Sequence, residues 1–158
     1  MTKKINKVFY KFLIIFFIIS NVSGEEIVRI GNSDAKLTVK VFSSLTCPAC
    51  ANWHSKIFYS MKKDFIDKGL VKFEHHPFPL DLAALNAEII LRCHTDNKKR
   101  FELLGKIYKK QKVWAVGSDI DKINDAIKKI GTEINLNNEE MINCLNNEKS
   151  QDEILNQR

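Results

Sequence analysis

Apolar and polar side chains alternate along two stretches of this chain, 37–44 and 71–76. Alternation with a period of two predicts strands that bury one face, and the β-branched and aromatic residues in these stretches support that assignment. A shorter apolar run at 27–30 predicts a small edge strand, and the polar residues that follow it at 31–34 predict a turn. We therefore expect three strands in the first half of the chain.

Between the two longer strands, apolar residues recur at the spacing of a helix, and Gly69 lies where that helix would end. A strand–helix–strand order predicts a right-handed crossover, which makes the two strands parallel. The helix face that is predicted to lie in the core comprises Trp53, Ile57, Phe58, Met61 and Phe65.

Residues 81–149 have a helical pattern throughout, without an internal repeat or a low-complexity linker. We predict four helices here and interpret them as an inserted helical layer, so the whole chain is predicted to be an α/β protein. A further helix is predicted to open at a capping box, Ser150–Glu153. The apolar faces of the four helices comprise Leu82, Leu85, Ile89 and Cys93; Phe101, Leu104 and Tyr108; Ile120, Ile123, Ile127 and Ile130; and, after Asn137, Met141 and Leu145.

The first 24 residues have the pattern of a secretory signal peptide. Four lysines and no acidic residue lie in 1–11, an unbroken apolar run covers Phe12–Ile19, and Val22-Ser23-Gly24 predicts cleavage after Gly24. A membrane anchor would need roughly 17–25 apolar residues, and Lys11 interrupts the run well short of that length. We therefore expect an exported chain, residues 25–158, with no membrane span after cleavage.

Removal of this leader changes the charge of the protein. The full chain has 25 Lys and Arg against 19 Asp and Glu, and the leader holds four of the bases and none of the acids. The exported part therefore has 21 against 19, a net charge of +2, which gives no reason to expect binding to nucleic acid. Export also places the four cysteines in an oxidising compartment, the periplasm if the source is bacterial, where disulfides persist.

The candidate chemistry lies in Cys47-Pro48-Ala49-Cys50, at the junction between the first long strand and the helix. Two thiols separated by two residues can close a small disulfide, and the N-terminus of a helix favours the thiolate of the first cysteine. Thiol–disulfide exchange at this pair needs neither a metal nor an organic cofactor. The alternatives are a purely structural disulfide and half of a zinc site.

A zinc site would need further ligands, which His54, His75 and His76 could offer, but the chain has no second C-x-x-C, so we predict no metal site. His54 lies seven residues after Cys47 on about the same helix face. We expect it to be partly exposed, and it could also tune the thiolate. His75 and His76 are adjacent in a strand, so their side chains are expected to point to opposite sides.

Cys93 and Cys144 fall on two different predicted helices. In an exported chain, two remaining cysteines favour a structural disulfide. Free thiols beside a disulfide oxidant would be open to oxidation, so we expect a Cys93–Cys144 bridge, with two buried free thiols as the alternative.

Together these features resemble the DsbA group of thioredoxin-fold disulfide oxidoreductases. The resemblance is carried by the leader, Gly31 before an apolar strand, Phe42-Ser43-Ser44, the cysteine pair at 47 and 50, and a strand ending in Pro77-Phe78-Pro79-Leu80-Asp81 before the helical layer.

The resemblance implies a thioredoxin-like fold in which 25–80 carry the cysteine pair, 81–149 form a helical insertion and 150–158 begin the return to the thioredoxin core. It implies that Cys47 forms the mixed disulfide with substrate and that Cys50 resolves it. The best-known members have histidine where this chain has Ala49, so a weaker oxidant is expected.

The resemblance covers only part of that fold, because a cis-proline loop, two antiparallel strands and a closing helix would follow residue 158. Pro48, Pro77 and Pro79 stand elsewhere in the pattern and cannot serve as the loop proline. We therefore expect a truncated, split or incompletely recorded family member. Without the missing strands, the strand at 37–44 would lie at an open sheet edge and substrate binding would be impaired. Such a chain is expected to fold marginally, without a sharp thermal transition.

The resulting prediction is an exported oxidoreductase that introduces disulfide bonds into reduced exported proteins. The resemblance also implies reoxidation by a DsbB-like membrane oxidase. A disulfide isomerase or reductase could use the same cysteines. The alternatives from other classes are a non-catalytic remnant and a metal-binding module.

Overall fold

The computed structural model describes residues 27–157. The signal peptide predicted for residues 1–24 lies outside this range. None of the helices within 27–157 is long and apolar enough to cross a membrane.

Three strands form one mixed sheet, with β1 at Val28–Ile30, β2 at Leu37–Ser43 and β3 at Val71–Pro77. Their order in the sheet is β1-β3-β2. β2 and β3 are parallel, which confirms the prediction from the strand–helix–strand order, and β1 pairs with β3 in the antiparallel direction. The sheet therefore has β3 at its centre, where nearly all of its residues are buried.

The far edge of β2 is open. Within the described residues no strand pairs with it on the side away from β3. Leu37 and Phe42 at the two ends of this strand are 65% and 56% exposed. An unpaired edge with exposed apolar side chains is a surface that folded proteins usually cover.

A turn at Gly31 separates β1 from β2. The glycine has a φ of +110°, and a Cβ at this position would lie 2.6 Å from the carbonyl oxygen of Val71. Only glycine allows the turn to approach the first residue of β3 so closely.

The helix after the cysteine pair runs without a break to Ile66 but is not a uniform α-helix. Two α-helical segments, α1 at Pro48–Trp53 and α2 at Tyr59–Met61, alternate with π-helical turns at His54–Phe58 and Lys62–Ile66. The helix ends as predicted near Gly69, which has a φ of +73°.

The π-helical turns change which side chains face the core. Their i to i+5 hydrogen bonds break the 3.6-residue repeat on which the predicted face rests. Phe58 is buried as predicted, but His54 and Ile66 are buried as well, whereas Ile57 and Phe65 are about half exposed. The prediction that both belong to the core is therefore wrong.

Six helices form the layer that follows the sheet. Four of them confirm the predicted set, and a short additional turn, α5, comes between the second and third of these. In chain order they are α3 at Leu82–Cys93, α4 at Asn97–Lys109, α5 at Gln111–Trp114, α6 at Ile120–Thr132, α7 at Asn138–Leu145 and α8 at Glu148–Leu155.

Side-chain caps begin these helices where local chemistry favours them. Asn137 and Glu140 form a capping box at the start of α7. The capping box predicted at Ser150–Glu153 is wrong, because Asn147 caps α8 and accepts a hydrogen bond from the backbone N–H of Ser150. The helix therefore begins earlier than expected, since asparagine is as good an N-cap as serine.

Helix α3 lies at the centre of the helical layer. Every residue from Ala84 to Leu91 is buried, so the helix has no solvent-facing side in its middle, and Leu82 of the predicted apolar face is exposed. It packs against α4, α6, α7 and α8. The sequence predicts a single buried face because the polar residues Asn86 and Glu88 interrupt the apolar run. In the structure both are buried, and each has a hydrogen-bond partner.

Candidate active site

The loop between β2 and α1 presents two free cysteines at the start of a helix. Cys47 is the N-cap of α1, and its Sγ accepts a hydrogen bond from the backbone N–H of Cys50 at 3.3 Å. Pro48 follows as the first helical residue. An N–H at this position would make no hydrogen bond within the helix, so its absence in proline costs nothing. The sulfur thus occupies the position that a serine or aspartate oxygen often takes at a helix start.

The two sulfurs have different environments. Burial alone would raise the pKa of Cys47, but hydrogen bonds from the Cys50 thiol and from the backbone N–H groups of Cys50 and Ala49 lower this pKa below its ordinary value. Burial raises the pKa of Cys50, and its hydrogen bond to Cys47 raises it further. The negative charge of the reduced pair is therefore favoured on Cys47, while Cys50 keeps its proton.

Two side chains from the helical layer hold the loop that carries Cys47. Gln111 on α5 donates from Nε2 to the carbonyl oxygens of Leu45 at 2.8 Å and Cys47 at 2.9 Å. Thr46 donates its hydroxyl proton to the carboxylate of Asp81, the N-cap of α3, at 2.7 Å. The conformation of the cysteine loop therefore depends on both layers.

A chain of buried polar groups connects β2 to α3 and α4. Tyr108 donates its hydroxyl proton to Ser43 Oγ at 2.9 Å, and Ser43 Oγ lies 3.2 Å from Nδ1 of His75. His75 Nε2 lies 2.7 Å from the carboxylate of Glu88, which also pairs with Arg92. Burial alone would raise the pKa of Glu88, but the charges of His75 and Arg92 lower it, so this fully buried group is ionised.

A cavity of about 550 Å³ separates this polar chain from the inner cysteine. Its lining is mostly apolar and includes Phe42, Cys50, Trp53, His54 and Tyr108. An apolar surrounding disfavours a charge on Cys50, in agreement with its raised pKa.

His54 is buried, and the expectation that it is partly exposed is wrong. Its ring lies against those of Phe58 and Tyr108, with centroids 4.8 and 4.9 Å away. Burial and the nearby charge of His75 lower the pKa of His54 to about 4, so the ring is neutral near pH 7. A neutral ring brings no positive charge to the Cys47 thiolate. That His54 tunes the pKa of Cys47 stays a prediction, and it would have to do so without a charge.

The second pair of cysteines has a different role. A disulfide joins Cys93 at the end of α3 to Cys144 near the end of α7, with 51 residues of sequence separation and Cα atoms 5.9 Å apart. It ties two helices of the helical layer together and leaves Cys47 and Cys50 as the free thiols of residues 27–157.

The two histidines of β3 point to opposite sides of the strand, as predicted. His75 contacts Ser43 and Glu88, whereas His76 packs on Phe42 and pairs with Glu74. Across residues 27–157, no three His, Cys, Asp or Glu side chains are grouped so that they could hold a metal ion.

The neighbours of the cysteine pair were not identified from the sequence. Asp81 carried a usable signal, because an acidic residue before a run of helix formers is a typical N-cap. The sequence gives no signal for Gln111, because it lies in the short additional helix α5. It gives none for Glu88 either, because only the packing of α3 buries this residue. Ser43 lies on a strand whose partners are set by tertiary contacts.

Comparison with known proteins gives consistent matches to one family. A family model described as thioredoxin matches residues 23–158. A Rickettsia bellii protein named as a protein-disulfide oxidoreductase is 32% identical over 120 residues, which cover 76% of this chain and 45% of that protein. Disulfide bond formation protein D of Bacillus subtilis is 36% identical over 99 residues, which cover 57% of this chain and 44% of that protein.

Solved structures share the fold. The crystal structure of Wolbachia pipientis alpha-DsbA1 matches with a TM-score of 0.75 and 23% identity, over 83% of this chain and 65% of that one. The chain spans less than half the length of the two sequence relatives.

Proposed function

This chain belongs to the thioredoxin superfamily as a DsbA-like member, and from that premise we propose that it is an exported protein-disulfide oxidoreductase acting through Cys47 and Cys50. In the oxidised form the two sulfurs are joined, and the protein passes this disulfide to a reduced substrate protein. Two electrons move from the substrate dithiol to the cysteine pair, so no metal or organic cofactor enters the reaction.

The exchange has two steps. A substrate thiolate attacks Sγ of Cys47, the Cys47–Cys50 bond breaks, and Cys50 leaves as a thiolate that takes up a proton. The second substrate thiolate then attacks the substrate sulfur of the mixed disulfide, and Cys47 leaves as a thiolate. The products are a substrate disulfide and the reduced pair.

The observation that carries the proposal is the hydrogen bond from the Cys50 backbone N–H to the Cys47 sulfur at a helix N-cap. A group stabilised as a thiolate leaves readily, and stabilising the reduced pair drives the disulfide toward the substrate. Because Ala49 offers no imidazole, we expect a less oxidising potential than in members with histidine at that position.

Location and partners follow from the same proposal. The leader predicted on residues 1–24 would deliver the protein to the periplasm, where its substrates would be reduced or unfolded exported proteins. A membrane oxidase of the DsbB kind would return the pair to the disulfide form after each turnover.

The test is oxidation of a reduced two-cysteine peptide by the preoxidised chain, followed by fluorescence or mass. Cys47→Ser should abolish peptide oxidation, because the reacting sulfur is gone. Cys50→Ser cannot form the Cys47–Cys50 disulfide and should not oxidise the reduced peptide either. When it is offered the peptide in its disulfide form, Cys47 should attack that disulfide and accumulate a mixed disulfide, since no Cys50 thiol is present to displace the peptide sulfur. Ser60→Ala, an exposed change on the same helix, serves as the control and should oxidise the peptide at the unmodified rate.

Peptide oxidation that persists in Cys47→Ser would exclude this mechanism. Insulin reduction that outpaces peptide oxidation, with the same dependence on Cys47, would identify a reductase instead. If a folded chain carries out neither reaction, the protein is a non-catalytic remnant.

A further inference from the structure

Gln111 is the one side chain of α5 that reaches across to the cysteine loop by hydrogen bonds. It is 6% exposed. A side-chain amide has two N–H donors on its nitrogen, and the carbonyl oxygens of Leu45 and Cys47 accept both of them. Gln111 therefore holds the backbone on either side of Thr46.

The carbonyl group of Cys47 links this contact to the reacting sulfur. Its oxygen accepts the backbone N–H of Ala51 at 3.1 Å, which is the first hydrogen bond of the helix, and the side-chain N–H of Gln111 at 2.9 Å. These two bonds set the orientation of the peptide group after Cys47, for which ψ is 117°. That orientation holds the Cys47 sulfur 3.3 Å from the backbone nitrogen of Cys50.

We propose that Gln111 is a positioning residue that locks Cys47 in the N-cap conformation in which its sulfur reacts as a thiolate. The proposal takes from the proposed function only that Cys47 is the reacting sulfur. Because Gln111 belongs to α5, the helical layer would in this way control the reactivity of a thiol that lies in the sheet layer.

Thr46 also attaches this loop to the rest of the protein, but it does not hold the peptide group after Cys47. Thr46 bonds to Asp81 and to Ser44 Oγ, and these contacts fix the Thr46 side chain rather than the peptide group after Cys47. Loss of Gln111 would therefore free the Cys47 carbonyl while the turn before it stays attached.

The alternative is that Gln111 only satisfies two buried carbonyl oxygens, as buried amides often do. That role would cost stability when lost but would leave the Cys47 sulfur unchanged. The two roles separate when thiol reactivity and stability are measured on the same variant.

The informative substitution is Gln111→Met, which keeps the length of the side chain and removes both donors. The matched control is Gln151→Met. Gln151 is partly buried and likewise donates from Nε2 to a backbone carbonyl, that of Leu145 at 3.2 Å, away from the cysteine pair. The charged and titratable groups that surround the cysteine loop stay in place in both variants; they are Lys40, Cys50, His54, Tyr59, His75, Asp81, Tyr108, Lys109 and Lys112.

The measurement is the pH dependence of the first alkylation of the reduced chain by iodoacetamide, together with the ultraviolet absorbance of the thiolate. Gln111→Met should raise the pH midpoint of both signals and slow alkylation below that midpoint about ten-fold, which corresponds to one pKa unit. Gln151→Met should leave both signals at their unmodified values. A folded Gln111→Met variant with an unmodified pH profile would overturn the proposal.

A second measurement uses the unmodified chain, in case Gln111→Met does not fold. The side-chain amide protons of Gln111 should be protected from solvent exchange, and their chemical shifts should follow the titration of Cys47. Shifts that stay constant through that titration would overturn the proposal equally. Because neither readout depends on substrate turnover, a failed peptide-oxidation assay would count against the proposed function alone.

Discussion

The sheet layer and the helical layer of this molecule are stabilised in different ways. The sheet layer has a small core of Phe58, Ile66, Val71 and Phe73, and one edge of β2 has no partner strand among residues 27–157. The helical layer has a core several times larger, centred on α3, α4 and α6, and a disulfide joins two of its helices. Cys47, the thiol proposed to react, lies in the layer with the smaller apolar core.

The difference shows how a small layer can hold a reactive group in a defined geometry. Side chains of the helical layer extend into the sheet layer at Gln111, Tyr108 and Glu88, and each bonds to β2, to β3 or to the loop after β2. The helical layer thus supplies both packing and orientation, while the proposed chemistry belongs to Cys47 and Cys50 at a helix start.

Removing the disulfide tests whether the helical layer holds most of the stability. Replacing Cys93 and Cys144 together by serine should lower the free energy of unfolding by about 4 kcal/mol, because the bridge closes a loop of about 50 residues in the unfolded chain. Denaturant unfolding measures this loss. The pH midpoint of Cys47 alkylation should not change, since the bridge lies away from the cysteine loop; a shifted midpoint would mean that the two layers are coupled through α3 and α7.

Breaking the buried ion pair tests the connection between the layers. Glu88→Gln should lower the free energy of unfolding by about 3 kcal/mol, because Arg92 keeps its charge in a buried site without its carboxylate. The matched control is Glu102→Gln on α4, whose exposed pairs with Lys99 and Lys106 should contribute less than about 1 kcal/mol. Equal losses in the two variants would show that the buried network contributes no more than a surface pair.

The pH dependence of stability tests the core of the sheet layer. The pKa of His54 is about 4 in the folded protein against 6.5 in the unfolded chain, so between these pH values the unfolded chain binds more protons. Stability should therefore fall as the pH drops from 6.5 to 4, by about 3 kcal/mol from this residue.

His54→Phe should remove that part of the pH dependence. At pH 7 it should leave stability unchanged or slightly higher, because within the described residues His54 Nε2 has no hydrogen-bond partner. Unfolding free energies measured at several pH values check both points. If stability depends on pH in His54→Phe as it does in the unmodified protein, another residue causes that dependence.

Local sequence patterns predicted much of this fold. Alternation identified β2 and β3, helical periodicity identified α3, α4, α6 and α7, and the order of elements predicted that β2 and β3 are parallel. These features depend on residues close together in the chain, where hydrophobic spacing and capping chemistry act directly. The failures have two causes: the π-helical turns shift the buried face so that it includes His54, and neighbouring helices cover the middle of α3 on all sides.

The sequence by itself determined the candidate for the reacting pair, because two cysteines two residues apart between a strand and a helix can close a small disulfide in which the first sulfur faces free N–H groups. Only the tertiary structure decided which distant side chains hold that pair in place. Gln111 is 64 residues from Cys47, and Glu88 is 13 residues from His75 across a loop and a helix start. Such contacts follow from the packing of whole layers, which brings together residues that no local pattern relates.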